Sequence, residues 1–122
     1  MRVLALDFGT KRIGLAWTDT ALDLILPYGV VTNQKAIINL VKKEKVDKIV
    51  VGFPLGLSNN ENSNTARVKN FVFELQKETS IPIELFDERY TSQAADSAGG
   101  SVSRDERSAM QILSGYLLKN KK

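Results

Sequence analysis

Three acidic positions stand where an α/β chain keeps its reactive groups. Asp7 closes the apolar run Val3-Leu4-Ala5-Leu6 and leads into the turn Phe8-Gly9-Thr10-Lys11-Arg12. Asp87 and Glu88 directly follow the apolar stretch ending at Phe86, in the run Phe86-Asp87-Glu88-Arg89-Tyr90-Thr91-Ser92. Asp105 precedes Ala109, Ile112, Leu113 and Tyr116 by 4, 7, 8 and 11 residues, so it shares the helical stripe that must face a sheet. A carboxylate at the edge of an apolar strand costs several kcal/mol unless hydrogen bonds or a cation compensate it. For Asp7 an Asx-type turn onto the amides of Gly9 or Thr10 would serve, and so would a metal. For Asp105 the helix macrodipole alone is not a sufficient account, because Ser103 and Glu106 already form a capping box at that end. Adjacent acids on an extended chain point to opposite faces, so one of Asp87 and Glu88 enters a shared site. We assign Glu88, with Asp87 as the alternative.

If Asp7, Glu88 and Asp105 converge, their like charges repel unless cations lie between them. One or two magnesium or manganese ions would answer that, and would activate a water in line with a phosphodiester while stabilising the leaving oxygen. Such chemistry needs no histidine, cysteine or nucleophilic serine. The chain has neither histidine nor cysteine, which excludes disulfides, thiol nucleophiles, thiolate or imidazole zinc sites and histidine general bases. Oxygen ligands alone favour a hard divalent cation. Lys11 and Arg12, four and five residues after Asp7, are candidates to hold a phosphate, with a solvated turn position as the alternative for Lys11, and Arg89 is a comparable candidate.

The elements that must position these groups follow from the apolar pattern. Residues 2–7 and 13–18 read as the arms of a hairpin, and residues 24–31 as a third, irregular strand containing Pro27 and Gly29. Thr32 or Asn33 caps a helix with the stripe Ile37, Ile38, Leu40 and Val41. Lys48 to Phe53 reads as a buried central strand, and residues 56–64 as a polar loop. Val68, Phe71, Val72 and Leu75 fall at helical spacing, residues 81–86 form a further strand, and the last helix carries Ala109, Ile112, Leu113, Tyr116 and Leu117. The order βββαβαβα predicts a three-layer α/β fold with a mixed five-stranded sheet and helices on both faces. Trp17, Phe53, Phe71, Phe73 and Phe86 are expected in the core, leaving no stacking platform for bases.

At 122 residues, 43% of them hydrophobic and 25% charged, residues 1–122 are expected to form a single domain. No apolar run approaches the length of a membrane span, and Met1-Arg2 leads into a strand without a secretory h-region, so a cytoplasmic, non-membrane protein is expected. The net charge of +3 permits a polyanionic partner without demanding one.

Taken together, Asp7-Phe8-Gly9-Thr10-Lys11-Arg12-Ile13-Gly14, Val51-Gly52-Phe53-Pro54-Leu55, Asp87-Glu88-Arg89-Tyr90-Thr91-Ser92, and Asp105 with Ala109, Ile112 and Leu113 resemble the YqgF family, also called RuvX. The resemblance spans nearly the whole chain. It implies a ribonuclease-H-like fold and a divalent-metal nuclease site whose acids carry over onto Asp7, the Asp87-Glu88 pair and Asp105. It further implies action on nucleic acid, either in maturing the 5′ end of the 16S ribosomal RNA precursor or, in the older description, as a Holliday junction resolvase on branched DNA. Phe53, Tyr90 and Ser92 replace residues more usual in the family, and residues 94–102 are short and glycine-rich for it. A monomer or a homodimer is compatible with these readings, and symmetric junction cleavage would require the dimer.

Two other classes are compatible with parts of the sequence. Asp7-Phe8-Gly9-Thr10 also resembles the phosphate-binding turn of the actin, sugar-kinase and Hsp70 group, but those proteins close two lobes around ATP and this chain has length for one. The second is a binding module on ribosomal precursors with weak catalysis, which intact acids at all the matched positions argue against.

Overall fold

The computed structural model describes residues 1–9, 11–21, 24–53, 63–87 and 104–120. Its sheet is built from β1 (Arg2–Phe8), β2 (Ile13–Asp19), β3 (Leu24–Val31), β4 (Lys48–Phe53) and β5 (Ile83–Asp87), in the order β3-β2-β1-β4-β5. The first three strands pair antiparallel, and β1, β4 and β5 run parallel. Among the described residues three helices complete the fold: α1 (Gln34–Glu44), α2 (Ser63–Gln76) and α3 (Arg104–Asn120). The expected βββαβαβα order and mixed five-stranded sheet are both present.

Strand alternation divides the core into two layers. Leu4, Leu6, Leu15, Ile49 and Val51 pack with Ile37, Ile38, Leu40 and Val41 of α1 and Val68, Phe71, Val72 and Leu75 of α2. On the other face, Val3, Ala5, Ala16, Val50 and Phe86 pack with Ala109, Met110, Ile112, Leu113 and Tyr116 of α3. Both faces are therefore covered, as expected for a parallel centre with near-continuous apolar strands. The irregularity foreseen in β3 appears as a register shift opposite Leu15 and Ala16, beside Gly29 at φ +127°.

Local chemistry sets most boundaries. Asn33 caps α1, its side chain accepting from the Ala36 amide at 2.9 Å. Helix α2 begins at Ser63, inside the stretch expected as loop, and β5 begins two residues later than expected, after Pro82, whose carbonyl accepts from the Ile49 amide at 3.0 Å. At the N-terminal edge of β4, the Lys48 ammonium sits 2.7 Å from the Glu84 carboxylate and donates to the Tyr116 hydroxyl, tying β4 and β5 to the far half of α3. These contacts, led by the bond to Glu84, hold the Lys48 pKa above its ordinary value.

Helix α1 ends on Lys45 in the left-handed region, at φ 55° and ψ 51°, with its amide donating to Val41. A side chain there is strained, whereas glycine is not. Lys45→Gly is expected to stabilise the fold by about 0.5 kcal/mol after the entropic cost of glycine in the unfolded chain. Urea denaturation would read this as a raised midpoint; a lowered one would show that the Lys45 side chain contributes more than its strain removes.

Candidate active site

Leu6, Val51 and Leu85 form one row across the parallel strands. Asp7 lies one residue beyond that row on β1, and Asp87 closes β5 two residues beyond it, paired with Phe53. Both positions therefore occupy the carboxyl edge of the parallel strands, where open α/β sheets bind their ligands. Leu4, Leu6 and Phe8 pack towards α1 and α2, whereas Val3 and Ala5 pack towards α3. Alternation puts Asp7 on the α3 side.

Asp105 reaches the same place from the other layer. Asp7 pairs with Gly14 across the β1–β2 hairpin. The first turn of α3 rests on that glycine so closely that a Cβ on residue 14 would lie 2.0 Å from the Asp105 carbonyl oxygen and 2.9 Å from the Asp105 Cβ. Facing Cβ positions in an antiparallel pair are about 5 Å apart, so the Asp7 and Asp105 side chains leave the backbone within about 8 Å of each other. The inward stripe of α3 supplies the rest of the placement, since Ala109, Ile112 and Leu113 are all buried against the sheet.

The hairpin turn adds a cation. The Gly9 amide donates to the Arg12 carbonyl at 2.9 Å, closing the turn. From it the Arg12 Nε approaches Asp105 Oδ2 to 3.2 Å, with the arginine side chain 68% exposed and the aspartate 29% exposed. Lys11 is exposed in the same turn.

Of the residues singled out from sequence, Asp7, Asp105 and Arg12 come together, with Lys11 beside them. Glu88 and Arg89 lie outside the described residues, as does Ser103 of the capping box. Among the described residues no group of three potential metal ligands assembles. The donors present nevertheless fit a hard divalent cation: both are carboxylates, and Asp105 already attracts a positive group. Gly14 is a positioning residue that the chemistry of the motifs alone does not single out. Its spacing from Asp7 across a hairpin was the signal, because it predicts a cross-strand pair with one partner lacking a side chain.

One expectation about aromatic residues is corrected. Phe71 and Phe86 are buried and Trp17 is half-buried against the core, but Phe73 is 59% exposed, with the Lys77 ammonium 4.6 Å from its ring centroid. The α2 stripe consists of residues 68, 71, 72 and 75, and position 73 turns about 200° away from 71. The Phe53 side chain lies outside the described residues.

The strand order and the two-layer core define a ribonuclease-H-like α/β fold. RuvC of Thermus thermophilus, solved in complex with a Holliday junction substrate, superimposes with a TM-score of 0.70 over 99% of this chain and 96% of its own, at 10% identity. The model of the RuvX family, described as Holliday junction resolvase, matches residues 1–119, and the chain belongs to that family. A protein of Maridesulfovibrio salexigens is 40% identical over 79% of this chain and 76% of its own length. One from Phocaeicola vulgatus is 39% identical over 95% of this chain and 94% of its own. Both carry the name "Putative pre-16S rRNA nuclease". The chain is thus a nuclease, a hydrolase of phosphodiester bonds acting on nucleic acid. None of its helices, among the described residues, is long and apolar enough to cross a membrane.

Proposed function

We propose that this protein is a divalent-metal-dependent nuclease that trims the 5′ end of the 16S ribosomal RNA precursor in the cytoplasm. The observation that carries the metal site is the seating of α3 on Gly14, which brings the Asp105 side chain beside Asp7. Asp7 and Asp105 are the ligands in this reading, with Glu88 as the third. Magnesium or manganese, when bound, supplies activation of water and stabilisation of the leaving oxygen. The chain's own part is to hold the carboxylates close in a fixed geometry, and to offer Lys11, Arg12 and Arg89 to the phosphates on either side of the scissile bond. The ribosomal RNA assignment is supported by the names of the two relatives.

The test is cleavage of a 16S precursor transcript and of a four-way DNA junction by the purified protein. RNA cleavage that EDTA abolishes and magnesium or manganese restores is the expected result. Symmetric cutting of the junction with the precursor untouched would replace this substrate by the one in the family's description. Tight RNA binding without turnover under any divalent ion would make the protein a binding module instead.

A further inference from the structure

The Arg12–Asp105 ion pair joins two groups to which the proposed function gives different duties. Asp105 is needed for a metal ion, and Arg12 for a phosphate, yet each occupies the other at 3.2 Å. Each duty is weakened by the pair as it stands. A carboxylate oxygen shared with a guanidinium is a poorer metal ligand, and a guanidinium facing a carboxylate presents less positive charge to a phosphate. The arginine is also the movable partner. It lies on a hairpin turn and is 68% exposed, whereas Asp105 is fixed through its backbone against Gly14.

We propose that Asp105 and Arg12 form an exchange pair. A metal ion taking the Asp105 carboxylate releases the Arg12 guanidinium, which turns outward to the nucleic-acid phosphate. Arg12 is then a positioning residue whose availability is set by the metal, and metal and nucleic acid bind cooperatively because each removes the other's competitor. Thermodynamic linkage makes this coupling reciprocal. An exposed ion pair is weak, so the exchange is readily reversible and the coupling modest, about two- to fivefold in either affinity. The inference rests on the metal-site reading above, but concerns how that site communicates with the phosphate site.

The experiment is a double-variant cycle on the full chain, measuring binding of a single-stranded RNA oligonucleotide in EDTA. Asp105→Asn frees the guanidinium, so RNA affinity should rise by about two- to fivefold beyond any gain from removing a negative charge. The double variant Asp105→Asn, Arg12→Gln, compared with Arg12→Gln alone, separates these contributions, since simple charge removal persists in that background and release of Arg12 does not. The gain should therefore be lost in the double variant. Calorimetry with manganese alone supplies the reciprocal arm, in which Arg12→Gln should bind the ion about two- to fivefold more tightly than wild type. An equal gain in single and double variants, or manganese affinity unchanged by Arg12→Gln, would overturn the exchange while leaving the metal site standing. Manganese binding that is absent, or identical in wild type and Asp7→Asn, would remove the metal-site reading and the exchange with it.

Discussion

Replacing Asp7 by asparagine should lower the cleavage rate by about a thousandfold while leaving the fold intact. The size follows from the several kcal/mol of transition-state stabilisation that a correctly held divalent ion supplies, each 1.36 kcal/mol being a factor of about ten in rate. The amide is nearly isosteric with the carboxylate, and β1 is held by backbone pairing to β2 and β4 and by the buried residues Val3 to Leu6, none of which the substitution touches. Removing one of two neighbouring negative charges also relieves repulsion with Asp105. The informative measurement pairs single-turnover cleavage in saturating manganese with a denaturation curve. A variant that cleaves within tenfold of wild type would exclude Asp7 as a ligand, whatever its stability.

The parts of this site visible in the sequence are those with a period. Asp105 shares a stripe with Ala109, Ile112, Leu113 and Tyr116, and all four are buried against the sheet. Asp7 follows an apolar run whose alternate residues Val3 and Ala5 pack towards α3. Element order was legible for the same reason, down to the irregular third strand with its Pro27 and Gly29. What the sequence did not reveal depends on contacts between elements. The seating of a helix turn on Gly14 has no periodic signature, because it is set by how closely two layers approach. The Arg12–Asp105 pair joins residues far apart in the chain, and either would satisfy a local reading as a turn cation or a helix-dipole acid. Phe73 was misplaced because an aromatic residue was expected to be core, although its position two residues after Phe71 takes it off the stripe.

Gly14→Ala is the second substitution with a large expected effect, and it tests the geometry on which the site depends. The new methyl group would lie 2.0 Å from the Asp105 carbonyl oxygen and 2.4 Å from its carbonyl carbon, both backbone atoms, so no rotamer change relieves the clash. Helix α3 must move. Its far half is held by Ile112, Leu113 and Tyr116 in the core and by the Lys48 bond to the Tyr116 hydroxyl, which favours tilting of the first turn away from β2 over loss of the whole helix. Overpacking of this kind costs about 3 kcal/mol, and a displacement of about 1 Å at a reacting centre can cost about a hundredfold in rate. The variant should therefore fold, with a clearly lowered urea midpoint, and show a drop in cleavage and manganese affinity larger than the unfolded fraction explains. Gly29→Ala is the matching control. Residue 29 has φ +127° with nothing within 4 Å of a built Cβ, so alanine there brings backbone strain of about 1 kcal/mol or more without touching α3. Stability should fall in both variants, but cleavage by the folded protein only in Gly14→Ala. If Gly14→Ala retained wild-type cleavage and manganese affinity, Asp105 could not owe its place beside Asp7 to this contact.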